Sequence, residues 1–129
     1  MILCDTSAWI DYLRGTDSEI RFQVRHALRH GRIIVGDLIL VEVLQGIRLD
    51  AQRRDVVEIM ANCRNETLCG TEMAHAAADN YRTLRRRGIT VRGTIDVIIA
   101  SWCIRHKVTL LHNDRDFTAM EAALGLNRY

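Results

Sequence analysis

Short apolar runs alternate with longer amphipathic stretches along the whole chain, and that alternation predicts strands separated by helices. Ile2 to Cys4 is a run of buried-strand type, followed by a polar turn at Asp5-Thr6-Ser7 and a helix from about Ala8 to Arg14 closed by Gly15. Thr16-Asp17-Ser18-Glu19 reads as a capping box with Thr16 at the N-cap. The helix it opens aligns Ile20, Val24, Ala27 and Leu28, and Gly31 stops it. Ile33 to Val35 predicts a second strand, with helix resuming near Leu38 and running through Glu42 to about Arg48. Asp50 caps a helix bearing Val56, Val57, Ile59 and Met60. Thr67-Leu68-Cys69 is a weak short strand. A helix then passes through Ala74, Ala77, Ala78, Tyr81 and Leu84 and is closed by Gly88. Thr94 caps a helix from Ile95 to Ile104 that is apolar almost all round, hence buried. Val108 to Leu111 is the clearest strand, and a last amphipathic helix covers roughly Phe117 to Leu124.

This order predicts the α/β class, a short central parallel sheet covered by helices on both faces, in one domain spanning residues 1–129. Ligands in such folds collect beyond the carboxyl ends of the strands. Asp5 and Asp114 fall at those ends, while Glu42 and Asp96 interrupt apolar helices that can reach the same rim. Carboxylates rarely enter apolar surroundings without a partner. Two of them about 4 Å apart repel by about 4 kcal/mol at an effective dielectric of 20. A shared Mg²⁺ or Mn²⁺ removes that penalty, because hard cations prefer oxygen donors. Such an ion can also lower the pKa of an attacking water and stabilise charge on a phosphodiester. Taken singly, each acid has a plainer reading, as a helix-terminal charge, a cap or a turn residue.

Composition changes this picture little. With 129 residues, 48% hydrophobic and 26% charged, the chain suits a single globular core rather than a disordered segment. A net charge of +2 does not by itself argue for nucleic acid, and Lys107 is the only lysine among many arginines. Cys4, Cys63, Cys69 and Cys103 form no CxxC pair. Cys4 and Cys103 read as buried hydrophobes, and a Cys63–Cys69 disulfide is the weaker reading. With no signal-like apolar N-terminal segment and no run long enough for a membrane span, the expectation is a cytoplasmic protein with reduced thiols. No Ser-His-Asp or Cys-His set competes for the chemistry, and His26 and His30 lack the glutamate of a metalloprotease helix.

Four segments occur together in one order: Asp5-Thr6-Ser7-Ala8-Trp9-Ile10-Asp11, Val41-Glu42-Val43-Leu44-Gln45-Gly46, Thr94-Ile95-Asp96-Val97-Ile98-Ile99-Ala100 and Leu111-His112-Asn113-Asp114-Arg115-Asp116-Phe117. In this the chain resembles PIN-domain nucleases, specifically the VapC toxins of toxin–antitoxin pairs. The resemblance implies a three-layer α/β/α PIN-like fold and a Mg²⁺- or Mn²⁺-dependent endoribonuclease. It implies Asp5, Glu42, Asp96 and Asp114 as metal-binding carboxylates and Asp116 as an auxiliary acid. Thr6 or Ser7, and Thr94, then look like hydroxyls that orient these carboxylates or a metal-bound water. It also implies an RNA substrate such as tRNA or rRNA, a cognate VapB-like antitoxin, a homodimer, and a heterotetramer or larger assembly with the antitoxin. Two departures stand out: no proline precedes the Glu42 helix, and a final edge strand before Tyr129 is expected to be short.

Arg82, Arg85, Arg86, Arg87 and Arg92 form the densest basic run. They can grip RNA phosphates, meet acidic groups of a protein partner, or merely complement a helix C-terminus. Trp9 is either a contact for substrate or partner, or core. The rival functions are a PIN-like module that binds RNA or protein without cutting, and a receiver- or phosphatase-like domain. The second lacks an acid two positions after Asp5, where Ser7 stands, and its lysine precedes the last strand rather than following it.

Overall fold

The computed structural model describes all of residues 1–129. Its elements are β1 (Ile2–Cys4), α1 (Thr6–Arg14), α2 (Glu19–Arg29), β2 (Ile33–Gly36), α3 (Asp37–Gln45), α4 (Asp50–Ala61), β3 (Arg64–Glu66), α5 (Thr71–Arg86), α6 (Thr94–His106), β4 (Thr109–Leu111) and α7 (Arg115–Leu124). The strands form one four-stranded sheet in the order β3-β2-β1-β4, with every pairing parallel. Parallel neighbours joined through helices cross over right-handedly. The steps β1→β2→β3 therefore lay α1–α4 on one face. The return from β3 across to β4 lays α5 and α6 on the other, and α7 joins them, packing on both. This is the three-layer α/β/α arrangement. The direction of winding reverses between β1 and β4, which makes the carboxyl ends of those two strands the topological switch point.

β1 is central and carries no exposed side chain: Ile2, Leu3 and Cys4 are fully buried, as are Leu110 and Leu111 of β4 beside them. Burial on both faces is what a covered parallel sheet requires, so these strands read as continuous apolar runs. Trp9 is also fully buried, which makes it core and not a contact for substrate. All four cysteines are free thiols, with Cys4 and Cys103 buried. An isolated bridge between Leu110 and Arg128 is what stands for a final edge strand.

Several local expectations are corrected. Ser18, not Thr16, caps α2: its hydroxyl oxygen accepts from the Arg21 N–H at 3.1 Å. Thr16 lies two residues too early to cap a helix that begins at Glu19. Asp50 and Thr94 are first helical residues instead of caps, with Leu49 and Gly93 at the N-cap positions and no side-chain capping bond. α3 stops at Gln45, short of Arg48. The third strand is Arg64–Glu66, not residues 67–69. It lies at the sheet edge, where polar side chains are tolerated and even protective, and Arg64 pairs with Glu66 at 2.7 Å.

Leu68 is buried for another reason. Asp37 Oδ1 accepts the N–H groups of both Leu38 and Leu68 at 2.9 Å, tethering the segment after β3 to the start of α3. The Leu68 side chain then occupies the space beside Gly36, where a Cβ would overlap it. Leu68 is fully buried, so a shift of its side chain must displace its own neighbours. Gly36→Ala is therefore expected to destabilise the fold by about 1–3 kcal/mol, the usual cost of overpacking. Chemical denaturation checks this, and a midpoint unchanged from wild type would show that Leu68 yields freely.

Candidate active site

The acidic positions expected from the sequence converge on the switch point. A cleft of about 550 Å³ there is lined by Asp5, Thr6, Ser7, Ile10, Glu42, Arg92, Gly93, Thr94, Ile95, Asp96 and Asp114. Each acid arrives from a different element. Asp5 follows β1, continues the β1–β4 ladder through its N–H to Leu111 O at 3.0 Å, and caps α1. Glu42 sits mid-way along α3, Asp96 lies in the first turn of α6, and Asp114 caps α7 just beyond β4. Asp116 stands next to Asp114, and carboxylate oxygens of Asp96, Asp114 and Asp116 all lie within 4.8 Å of one another.

Short hydrogen bonds hold these groups in place. Asp5 Oδ2 accepts from the Ser7 N–H at 3.0 Å and from the Ser7 hydroxyl at 2.6 Å. Ser7 Oγ in turn accepts the Asn113 N–H at 2.9 Å, so one hydroxyl joins the end of β1 to the loop after β4. Thr6 Oγ1 donates to Glu42 Oε1 at 3.0 Å, tying α1 to α3. Asp114 Oδ1 accepts the Asp116 N–H at 2.9 Å. Thr94 lines the cleft, and no hydrogen bond joins its hydroxyl to a carboxylate.

Some of the supporting groups escape sequence reasoning. His112 is 1% exposed; its Nε2 lies 2.9 Å from Glu121 Oε1, and its Nδ1 accepts the Asp114 N–H at 3.3 Å. Asp11 Oδ2 accepts from Asn113 Nδ2 at 3.0 Å. The only available signal was the run of polar residues His112-Asn113-Asp114-Arg115-Asp116 directly after a buried strand.

The basic run divides. Arg92 reaches the site, with Nη2 3.3 Å from Asp114 Oδ1 and Nε 3.1 Å from Asp116 Oδ2. Arg87 donates instead to the Ala123 carbonyl at 3.0 Å, near the C-terminal end of α7. Arg85 and Arg86 are exposed on the last turn of α5, outside the residues that line the cleft.

Electrostatics sets the cleft apart from an ordinary polar surface. Burial pushes the Asp5 carboxyl up from its usual range, against the lowering effect of the Ser7 and Thr6 hydrogen bonds, and Asp114 adds to the rise. Glu42 is raised by burial, partly offset by Thr6. Asp96 is pushed up to about 7, first by burial and then by Asp5, Asp114, Glu42 and Asp116. Mutual repulsion of this kind, with all-oxygen donors spaced within a few ångströms, is the arrangement that accommodates a hard divalent cation. Asp5, Glu42, Asp96 and Asp114 have the donor chemistry to hold one, and Asp116 stands at the rim.

Comparison with known proteins supplies the family. The PIN domain family profile matches residues 2–123. A VapC ribonuclease of Mycobacterium bovis and ribonuclease VapC11 of Mycobacterium tuberculosis are each 36% identical over 119 residues, covering 91% of this chain and 89% of the relative. Among solved structures, the VapBC2 complex of Rickettsia felis bound to promoter DNA superposes with a TM-score of 0.78 at 15% identity, covering 100% of this chain and 98% of that one. The DNA-bound VapBC complex of Salmonella typhimurium gives 0.77 at 19%, covering 99% and 96%. At those identities the superpositions speak for the fold, while the sequence relatives speak for the family: the chain belongs to the PIN domain family and, within it, to the VapC ribonucleases.

Proposed function

We propose that the protein is the toxin of a toxin–antitoxin module, a Mg²⁺- or Mn²⁺-dependent endoribonuclease that hydrolyses RNA phosphodiester bonds in the acidic cleft. The observation that carries this reading is the crowding of Asp5, Glu42, Asp96 and Asp114 around one cleft, severe enough to push Asp96 up to about 7. A module that only bound RNA or protein would gain nothing from such repulsion.

Asp5, Asp96 and Asp114 would hold the ion, with Glu42 beside them. Bound there, Mg²⁺ or Mn²⁺ supplies a lowered pKa for the attacking water and charge stabilisation for the phosphodiester oxygens. The chain's own contribution is placement. Ser7 fixes the Asp5 carboxylate and Thr6 fixes Glu42, which leaves fewer orientations to be ordered when substrate arrives. The Thr94 hydroxyl is free to take a substrate or solvent hydrogen bond. Arg92 at the mouth of the cleft, with Arg85, Arg86 and Arg87 beyond it, supplies charge for phosphates flanking the cut.

The relatives and the structural neighbours support a VapB-like antitoxin as partner, since the neighbours named above are VapBC complexes. Phe22 on α2 and Val57 on α4 remain exposed, apolar surface that a homodimer would cover. No helix is long and apolar enough to cross a membrane, in keeping with a cytoplasmic site of action on tRNA or rRNA.

The test is cleavage of a folded RNA by the purified chain. Internal cuts should appear with Mg²⁺ or Mn²⁺ and stop on addition of EDTA. Intact RNA in millimolar Mn²⁺, or cleavage indifferent to EDTA, would contradict the reading.

A further inference from the structure

Four carboxylates line the cleft with Asp116 at its rim, and Arg92 is the one basic side chain among the residues that line it. Its contacts are not distributed evenly. Arg92 Nη2 pairs with Asp114 Oδ1, and Arg92 Nε pairs with Asp116 Oδ2. The Arg92 backbone N–H is also directed to Asp116 Oδ2, at 3.4 Å. Asp5, Glu42 and Asp96 receive none of its hydrogen bonds. The guanidinium thus engages Asp114 Oδ1 and Asp116 Oδ2 on one side of the cleft, and leaves Asp114 Oδ2 open together with Asp5, Glu42 and Asp96 on the other. Yet the Asp114–Asp116 side, with Asp96, is where three carboxylates come close enough to share an ion of their own.

We propose that Arg92 is a built-in counter-cation occupying a second cation position, so that the free protein takes a single divalent ion. This rests on the metal-dependent reading above. Guanidinium suits the part: its planar fork reaches two carboxylates at once and its charge does not depend on pH. A second cation entering among Asp96, Asp114 and Asp116 must either displace Arg92 or bear like-charge repulsion at contact distance. The Arg92 side chain is 75% exposed, so it can leave the acids for an incoming phosphate without disturbing the core. Arrival of substrate is then the event that frees the second position, which couples RNA binding to the cation count.

Mn²⁺ stoichiometry of the full-length protein tests this, read by electron paramagnetic resonance of free Mn²⁺ with no RNA present. Wild type should bind one ion per chain. Arg92→Gln should bind two, the second appearing at a concentration where wild type shows none. Arg92→Lys, which keeps the charge, should stay close to one. One ion in both wild type and Arg92→Gln would overturn the proposal while leaving the metal site standing, and two ions in wild type would do the same. No ion in wild type would instead remove the reading on which the proposal rests, and the proposal with it. A fold check by circular dichroism on Arg92→Gln ensures that any change in count comes from the cleft.

Discussion

Asp96→Asn is expected to lower RNA cleavage by on the order of 10³-fold and, in the metal-free protein, to raise the melting temperature. The first effect follows from position. Loss of a group that merely supports a metal ligand costs about 10–100-fold, and Asp96 is proposed above as one of the ligands themselves. The second effect runs against the usual outcome of mutation and comes from the balance of charge. As an acid in the first turn of α6, Asp96 gains from the helix dipole. That gain is outweighed, because burial and the carboxylates of Asp5, Asp114, Glu42 and Asp116 together push it up to about 7. Asparagine keeps the shape and removes the opposed charge. Initial rates on a defined RNA and thermal melts in EDTA at about pH 8 read both effects. An Asp96→Asn protein that cleaves at the wild-type rate would take this residue out of the chemistry.

Metal and pH should act on stability in opposite senses. In the folded, metal-free protein Asp96 keeps its proton up to about pH 7, whereas in the unfolded chain it loses it near the ordinary value of about 3.9. Between those limits the native state binds the extra proton, so stability is gained as pH falls from about 7 to about 4 and lost as pH rises through 7. Asp5 and Glu42 are raised as well and act in the same direction. A divalent ion requires the ionised carboxylates, so its stabilisation should grow as pH rises. At an ion concentration a hundredfold above the dissociation constant the gain is about 2.7 kcal/mol. For a chain of this size that corresponds to roughly 10 °C in melting temperature. Melts in EDTA should therefore fall from about pH 5.5 to about pH 8 while the gap opened by Mn²⁺ widens. Parallel curves with and without Mn²⁺ would show that the carboxylates bind no ion.

The site was more legible than some of the elements that frame it. Asp5, Glu42, Asp96 and Asp114 stood out because each borders or breaks an apolar run, and an acid in such a place has few structural uses. The strand–helix alternation placed them at the rim of a parallel sheet, and the structure joins them in one cleft. What escaped was anything fixed by contacts distant in sequence. The third strand is Arg64–Glu66, and a charged edge strand leaves no hydrophobic signature; Leu68, expected within it, instead gives its N–H to Asp37. The cap of α2 falls on Ser18 and not on the expected Thr16, because the start of a helix depends on which acceptor meets the third N–H. Arg92 was legible as a positive charge near the site, but not as a clamp on Asp114 and Asp116, residues more than 20 positions away. His112 owes its place to Glu121 on one ring nitrogen and the Asp114 N–H on the other, contacts that leave no pattern in the sequence.

On the function proposed above, the cleft between Asp5, Glu42, Asp96 and Asp114 is the seat of a divalent ion. Anomalous scattering at the manganese edge, from crystals grown in Mn²⁺ at a concentration that supports RNA cleavage, addresses it without reference to activity. A strong anomalous peak is expected within coordination distance of Asp5, Asp96 and Asp114 carboxylate oxygens. Ordered carboxylates with no peak between them, or a peak only elsewhere on the molecule, would contradict it.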